Sequence, residues 1–549
     1  MPMLQALKNK KQNRNAIVAA GTLQAPIKGW YTGASLADAP PASAFVLDNA
    51  FVQLDFIRSR RGSTTWASGM GPVSVNTLMN WTDGSRVKIF AATSDGSIYD
   101  VSNIGPVGAA LVFGLSNSHG PFGGGGYFEW LQHKDAGGGT WLVAVNGIDP
   151  PQFYNGTTWV TAPAWTGTGF TTLSSVWTFK GRLFGVQPGT RNAWYLPVGQ
   201  VGGTASLFSL GEFMKWGGAL LTGGTWAVES VSGNFEFLCF VTTEGEVLVY
   251  DGTDPTVLTL RGSYKISRPL GPRCLMKAGG DLAIMTEDGI VPMSQVETLD
   301  QVALQNVAIT VPIAPDWRKA VLARSGIPGW QIVMWPMESM AIINLPKQNA
   351  LDRTQFIANA RTGAWSRYIG WDANCFVVSG LGLTNSQLFY GTSDGRTMLA
   401  ESGGQDDGQP YTVTIFPRFE HLGQLETSIA QATTYSSVIN KQLRMVRVNL
   451  FTDTPFTPQL TARTDYDTTI PPNPGTTYAP ITGGAMWGIA RWGIDRWPNK
   501  AFKQLTWAAC PGIGAVHTPV MQWTISSLAA PDIRFTAFDL MWEGGNLLG

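Results

Sequence analysis

The sequence predicts an all-β protein: a β-propeller-like repeat domain of about six or seven blades over residues 71–400, an N-terminal extended arm over 1–70 and a C-terminal β-domain over 401–549. Three observations predict it. Glycine turns recur between residues 81 and 400, as Trp81-Thr82-Asp83-Gly84, Ser94-Asp95-Gly96, Tyr154-Asn155-Gly156-Thr157, Glu244-Gly245, Glu287-Asp288-Gly289 and Ser393-Asp394-Gly395. An Asp-Gly or Asn-Gly pair supplies the positive-φ positions of a tight hairpin, so each marks a strand folding back on its neighbour. Between the turns lie short aromatic or β-branched runs, and the hairpins recur roughly every 40–60 residues, a spacing that fits blades. Composition is the third observation. Charged residues are 14% of 549, with 64 glycines and 22 tryptophans, against a usual ~25% charged and ~7% glycine. Sparse charge with abundant tryptophan suits a chain that covers much of its surface with other protein.

The elements follow in order. Residues 1–70 have too little apolar periodicity to build a core and are expected to lie on the propeller or on a neighbouring subunit. Lys8, Lys10, Lys11 and Arg14 read as a solvated tail or a docking arm. Pro41 to Asn49 reads as the one helical piece of this arm, and Arg58, Arg60, Arg61 and Gly62 end it in a basic turn. Val73 to Trp81, Arg86 to Ala92 and Ser97 to Val101 predict a three-strand meander, one blade's worth. Similar sets follow at 141–160, 176–196, 235–250, 274–293, 331–358 and 375–400. Asp316 to Arg324, behind Pro315, predicts a helix between blades. Past residue 401 come strands at Tyr411 to Phe416 and Met445 to Phe451, a loop at Pro471-Pro472-Asn473-Pro474, the tryptophans Trp487, Trp492 and Trp497, and a last strand from Ile533 to Trp542.

The chain carries little that would do chemistry. Lys+Arg and Asp+Glu are 38 each, so no overall field draws it to nucleic acid or to an anionic membrane. No apolar run reaches the ~18 residues of a membrane span, and the first residues lack a signal core, so folding in a cytoplasm is expected. Cys239, Cys274, Cys375 and Cys510 are far apart, and three sit in apolar runs, as inert core thiols do. His119, His133, His421 and His517 show no zinc-ligand spacing. Gly123 to Gly126 lacks the Lys and Ser/Thr of a phosphate cradle and reads as a loop. Asp406-Asp407-Gly408 and Asp465-Tyr466-Asp467 lack the closing glutamate of a calcium loop and read as turns. No metal and no cofactor is expected.

Asn155-Gly156-Thr157-Thr158-Trp159 has the end of the Asp-containing hairpin motif of propeller sialidases without its leading Ser and Asp. A glycosidase also needs two carboxylates converging in a pocket. The chain is therefore expected not to be an enzyme. The alternatives to a structural role are a glycan-binding, receptor-binding propeller module and, behind it, a propeller glycosidase.

Several segments together resemble the tail nozzle (tail tubular, or tail stabilisation) proteins of short-tailed, podovirus-type bacteriophages. In order they are Ala25-Pro26-Ile27-Lys28-Gly29-Trp30, Val46-Leu47-Asp48-Asn49-Ala50-Phe51, Arg58-Ser59-Arg60-Arg61-Gly62, Val145 to Gly156 with its Asn146-Gly147-Ile148-Asp149-Pro150-Pro151, Phe179-Lys180-Gly181-Arg182, Ala193-Trp194-Tyr195-Leu196-Pro197, Val241 to Pro255 and Arg268-Pro269-Leu270-Gly271. The resemblance implies a structural virion protein, assembled as a hexameric ring below the portal and adaptor. Fibres or spikes would attach to it, and double-stranded DNA would pass through its lumen without sequence-specific binding during ejection into the bacterial host. It implies no direct membrane anchor. Under it, Arg58, Arg60 and Arg61 are expected to contact a neighbouring subunit or the adaptor, the alternative being an ion-paired turn within the chain.

Overall fold

A computed structural model describes residues 18–33, 35–120, 123–230, 233–380, 386–422, 440–452, 458–470, 476–477, 502–529 and 532–544. The basic stretch Lys8 to Arg14, the loop Pro471 to Pro474 and the tryptophans Trp487, Trp492 and Trp497 lie outside the described residues.

Within 63–400 seven antiparallel meanders recur, besides two two-stranded pairs; the first five are sheets of their own, the sixth runs on into a larger sheet and the seventh takes a strand from the N-terminal side. The first runs Val75–Thr82, Val87–Thr93 and Ile98–Asp100. The next four begin with Glu129–Lys134, Ser175–Phe179, Leu220–Ser230 and Leu275–Ala278. The sixth begins with Gln331–Trp335 and the seventh with Cys375–Ser379. These leading strands lie against one another in sequence, except that Leu220–Ser230 meets the fifth sheet through its second strand, Asp281–Thr286; Cys375–Ser379 returns to Val75–Thr82, so the sheets close into a ring. The architecture is all-β and propeller-like, with seven blades.

The turn chemistry places the blade corners. Thr93-Ser94-Asp95-Gly96 and Thr392-Ser393-Asp394-Gly395 are built alike. In each, the threonine hydroxyl is hydrogen-bonded both to the aspartate carboxylate, at 2.6 and 2.5 Å, and to the carbonyl of the residue after glycine, at 3.0 Å. Gly96 and Gly395 sit at φ 80° and 75°, where a β-carbon is disfavoured.

The seventh blade is finished by a strand from the other end of the chain. Ser63–Ser68 pairs antiparallel with Thr397–Ala400, setting Thr65 against Met398 and Ser63 against Ala400. A propeller closed this way has its first and last repeats held by backbone hydrogen bonds, which leaves no open seam.

The described strands within 18–59 and 411–544 form a second β unit together. Val18–Gln24 pairs with Ile533–Gly544 along its whole length, and that strand also pairs with Lys441–Thr452. Ser43–Asp48 pairs with Tyr411–Pro417, which continues to His517–Ile525 and Gln459–Thr464. This second sheet is continuous with the sixth blade, because Gly29–Trp30 and Ser43–Asp48 join Trp365–Ile369 in parallel. The arm expected over 1–70 is thus split: 18–59 belongs to the C-terminal β unit and 63–68 to the last blade. The boundaries at 70 and 401 part strands that the fold keeps together.

The helix expected at Pro41 to Asn49 is instead the strand Ser43–Asp48. Alanines around Pro40-Pro41 favour a helix locally, but both faces of this segment are covered by neighbours and only Val46 is more than marginally exposed. A fully covered segment of this length is served better by a sheet, which satisfies its backbone laterally. The helix Ala314–Arg324 is present, with Pro315 in its first turn, Asp316 at its start and Arg324 at its end. Its Trp317 is buried and donates to the carbonyl of Thr286 at 3.2 Å, pinning the helix over the fifth blade. Two short helices that the sequence did not reveal, Met293–Val296 and Gln301–Val307, precede it.

Candidate functional site

Blades on opposite sides of the ring are joined by an arginine side chain. Arg273, just ahead of Leu275–Ala278 in the fifth blade, reaches the first and second blades. It donates to the carbonyl of Asn76 at 3.2 Å, to Thr77 Oγ1 at 2.6 Å and to the carbonyl of Phe128 at 3.0 Å. Its Nε lies 3.4 Å from Glu129 Oε1, and its guanidinium faces the Tyr127 ring at 5.4 Å. The acceptors are held in turn. Thr77 donates to the carbonyl of Gly126 at 2.7 Å, and Asn76 Nδ2 donates to that of Gly125 at 2.8 Å. The glycine run therefore presents carbonyls to the first blade, the reverse of a phosphate cradle, which presents N–H groups.

Above this arginine lies a cavity of about 350 Å³, walled by Tyr127, Glu129, Ile327, Pro328 and Trp330. Burial pushes the Glu129 carboxyl up to about 7, against the pull of Arg273. A fully solvated ion pair would have lowered it. The site is thus a partly shielded ion pair that ties the fifth blade to the first and second. Sequence reasoning passed over Arg273; the signal available was an arginine in Gly271-Pro272-Arg273-Cys274, immediately before the first strand of a blade.

Arg58, Arg60 and Arg61 are placed differently from one another. Arg60 has no solvent exposure. Its Nε donates to Asn49 Oδ1 at 2.8 Å, Nη1 to the Arg61 carbonyl and Asp406 Oδ1, and Nη2 to the Ile369 carbonyl and Asp406 Oδ2. All five N–H groups are used, and the guanidinium lies 3.7 Å from the centre of the Tyr411 ring. These partners come from the sixth blade, the second β unit and the segment that joins the seventh blade to that unit. Arg58 is paired with Glu401 at 2.8 Å and Glu338 at 3.2 Å and lies over Phe51. Arg58 and Arg60 are therefore committed inside the chain, in ion pairs that a short basic run does not reveal. The Arg61 side chain is exposed.

The remaining candidates are structural. Asp406 serves Arg60, Asp407 pairs with Arg396, and Asp465 accepts from the Ala515 amide at 2.8 Å. All four cysteines are buried and free, and burial pushes the Cys375 thiol up to about 11 and that of Cys510 to about 12. His133 and His517 are buried and held toward the neutral form by desolvation. Among the described residues, no group of three His, Cys, Asp or Glu side chains could hold a metal ion. No helix among them is long and apolar enough to cross a membrane.

No family model matches the chain, and no curated protein matches it. Among solved structures it is similar to BBS1N in complex with ARL6DN, at 9% identity and a TM-score of 0.38, over 62% of this chain and 99% of that one. It is also similar to the WD40 domain of Neurospora crassa Pan2, at 10% identity and a TM-score of 0.37, over 62% of this chain and 96% of that one. The chain is a β-propeller protein. For the propeller protein that statement rests on the closed ring of blades, and a propeller is a scaffold whose activity must be read from its sites.

Proposed function

We propose that the propeller protein is a structural subunit of a bacteriophage tail nozzle, a homo-oligomeric ring that retains packaged DNA and conducts it during ejection. The observation that carries this reading is where its resembling segments fall. Ala25 to Trp30 and Val46 to Phe51 carry the strands that join the second β unit to the sixth blade, and Asn49 of the second stretch meets Arg60 of the third, Arg58 to Gly62. A wall under load must behave as one piece, and a fully bonded buried guanidinium between two units resists their separation.

In this reading the lumen runs between copies, not through a propeller, because Arg273 spans the middle of the ring from the fifth blade to the first and second. The balance of 38 basic and 38 acidic residues suits passage of DNA, since each phosphate contact would add salt-dependent holding. No reaction is asked of the chain. Native mass spectrometry and cryo-EM of the purified protein, alone and with portal and adaptor proteins, test the reading. Closed rings, a hexamer for preference, support it. A chain that stays monomeric with both partners present overturns it.

A further inference from the structure

The cavity of about 350 Å³ above Arg273 is bounded by the segments that lead into the second, fifth and sixth blades, residues 127–129, 269–273 and 325–330. Its size is within the ~300–1,000 Å³ of small-ligand pockets. The wall is chiefly apolar, with Leu270, Ile327 and the Tyr127 and Trp330 rings in it, and three charged side chains line it, Glu129, Glu287 and Arg273. The Glu129 side chain keeps 21% of its surface exposed, so its carboxylate is reached from the cavity it lines. Arg273 is its only ionic partner among the described residues, with Nε 3.4 Å from Oε1. That is longer than a charge-assisted hydrogen bond, and the carboxylate keeps capacity for another donor.

Charge narrows the chemistry of an occupant. Arg273 offers little to an anion, because three of its N–H groups are spent on the Asn76 and Phe128 carbonyls and the Thr77 hydroxyl. Glu287 is half-buried, and Arg268, the cation that feels its charge, is already paired with Glu244 at 2.8 Å. The wall thus carries two carboxylates against one guanidinium. An anion would meet repulsion there, and a sugar would meet carbon over most of the wall. A cation on an apolar stem suits both the charge and the lining, and aromatic rings add attraction to its charge. The shielding from water that raises the Glu129 carboxyl also strengthens an ion pair made beside it.

We propose that this cavity binds an organic cation, an ammonium or guanidinium on an apolar stem, whose charged end pairs with Glu129 and whose stem lies against Leu270, Ile327 and Trp330. A free amine and the lysine or arginine side chain of a partner protein share this chemistry. The site is independent of whether the chain forms a ring, since every group in it belongs to one copy.

Saturation-transfer NMR on the full chain tests it at about pH 8, above the value of about 7 to which burial raises Glu129, so that the carboxylate is ionised. Phenethylamine and agmatine probe the free-amine source, and the N-methylamides of acetyl-lysine and acetyl-arginine probe the side-chain source. Phenylethanol and acetyl-norleucine N-methylamide are the neutral controls, and phenylacetate is the anionic one. The expected result is transfer to at least one cation and to none of the controls, and the arm that binds names the source. In Glu129→Gln, affinity for that cation should fall about tenfold or more, the loss of a charge-assisted hydrogen bond. Ile327→Trp, which adds bulk at the wall, should abolish it. Both variants are first shown to unfold cooperatively, and the second keeps the test decisive where the first is unstable. No transfer to any cation, equal transfer to a neutral control, preference for phenylacetate, or binding unchanged in both variants overturns the proposal.

Discussion

Arg60 and Asp406 stand 346 positions apart and meet in a two-pronged ion pair, Nη1 to Oδ1 at 2.7 Å and Nη2 to Oδ2 at 2.5 Å. The pair lies where the second β unit leaves the last blade. Because Arg60 has no exposure, removing its carboxylate strands a charge in a site water does not reach. Asp406→Asn is expected to destabilise the protein by about 3–5 kcal/mol. Arg60→Lys should cost a similar amount, since an ammonium cannot reproduce the five-donor fork. Urea unfolding followed by tryptophan fluorescence reads both. An Asp406→Asn protein as stable as the parent would show that the pair is ornamental.

The hairpin glycines separate conformational strain from crowding. Gly84, at φ 95°, has nothing within 4 Å of where a β-carbon would stand, whereas at Gly395, at φ 75°, that carbon would lie 1.9 Å from the carbonyl oxygen of Gly71. Gly84→Ala should therefore cost only the left-handed penalty of about 1–2 kcal/mol. Gly395→Ala should cost more, because backbone must move at the corner of the closing blade. Equal shifts in unfolding midpoint for the two would refute the crowding term.

Much of the propeller was legible because its contacts are local. Arg182–Val186, Gln331–Trp335 and Thr397–Ala400 stand where their apolar runs place them, and the turn residues between strands name their own conformation. What escaped is non-local. Val18–Gln24 finds its partner in Ala537 to Glu543, and nothing in either segment names the other. Ser43–Asp48 was mistaken for a helix because the covering strands on its two sides come from residues 365–369 and 411–417. The site followed the same rule. Arg58, Arg60 and Arg61 form one basic run in sequence, but their partners Glu401 and Asp406 lie hundreds of residues on, so burial of two and exposure of the third could not be read. Arg273 acts across the ring, a direction that a linear pattern does not encode.

Arg61 is the member of that run still open to a neighbour. If the ring exists and the arm segment meets the next copy or the adaptor there, Arg61→Glu should weaken assembly in native mass spectra while leaving the unfolding midpoint within about 0.5 kcal/mol of the parent. Truncation of the first 65 residues would not isolate this question, because it removes the strand Val18–Gln24 and half of Ser63–Ser68. Rings of unchanged stability in Arg61→Glu would remove this residue from the interface.

Glu129 gives its ion pair with Arg273 a pH signature whose sign follows from its burial. The carboxyl is raised from an ordinary value of 4.5 to about 7, with desolvation outweighing the attraction of Arg273. Between those two values the unfolded chain has released the proton and the folded chain still holds it. The folded state then binds more protons, so this group's contribution to stability is fully present below about pH 4.5 and is lost as pH rises through 7. Glu129→Gln keeps the shape and removes the titration. The stability of the glutamine variant relative to the parent should therefore rise between pH 4.5 and 7 and level off above it, as read from urea midpoints across that range. If Arg273 instead governs the carboxylate, the relative stability of the variant will be nearly flat between pH 4.5 and 7 and will change only at lower pH, and the pair is then an ordinary ion pair open to solvent.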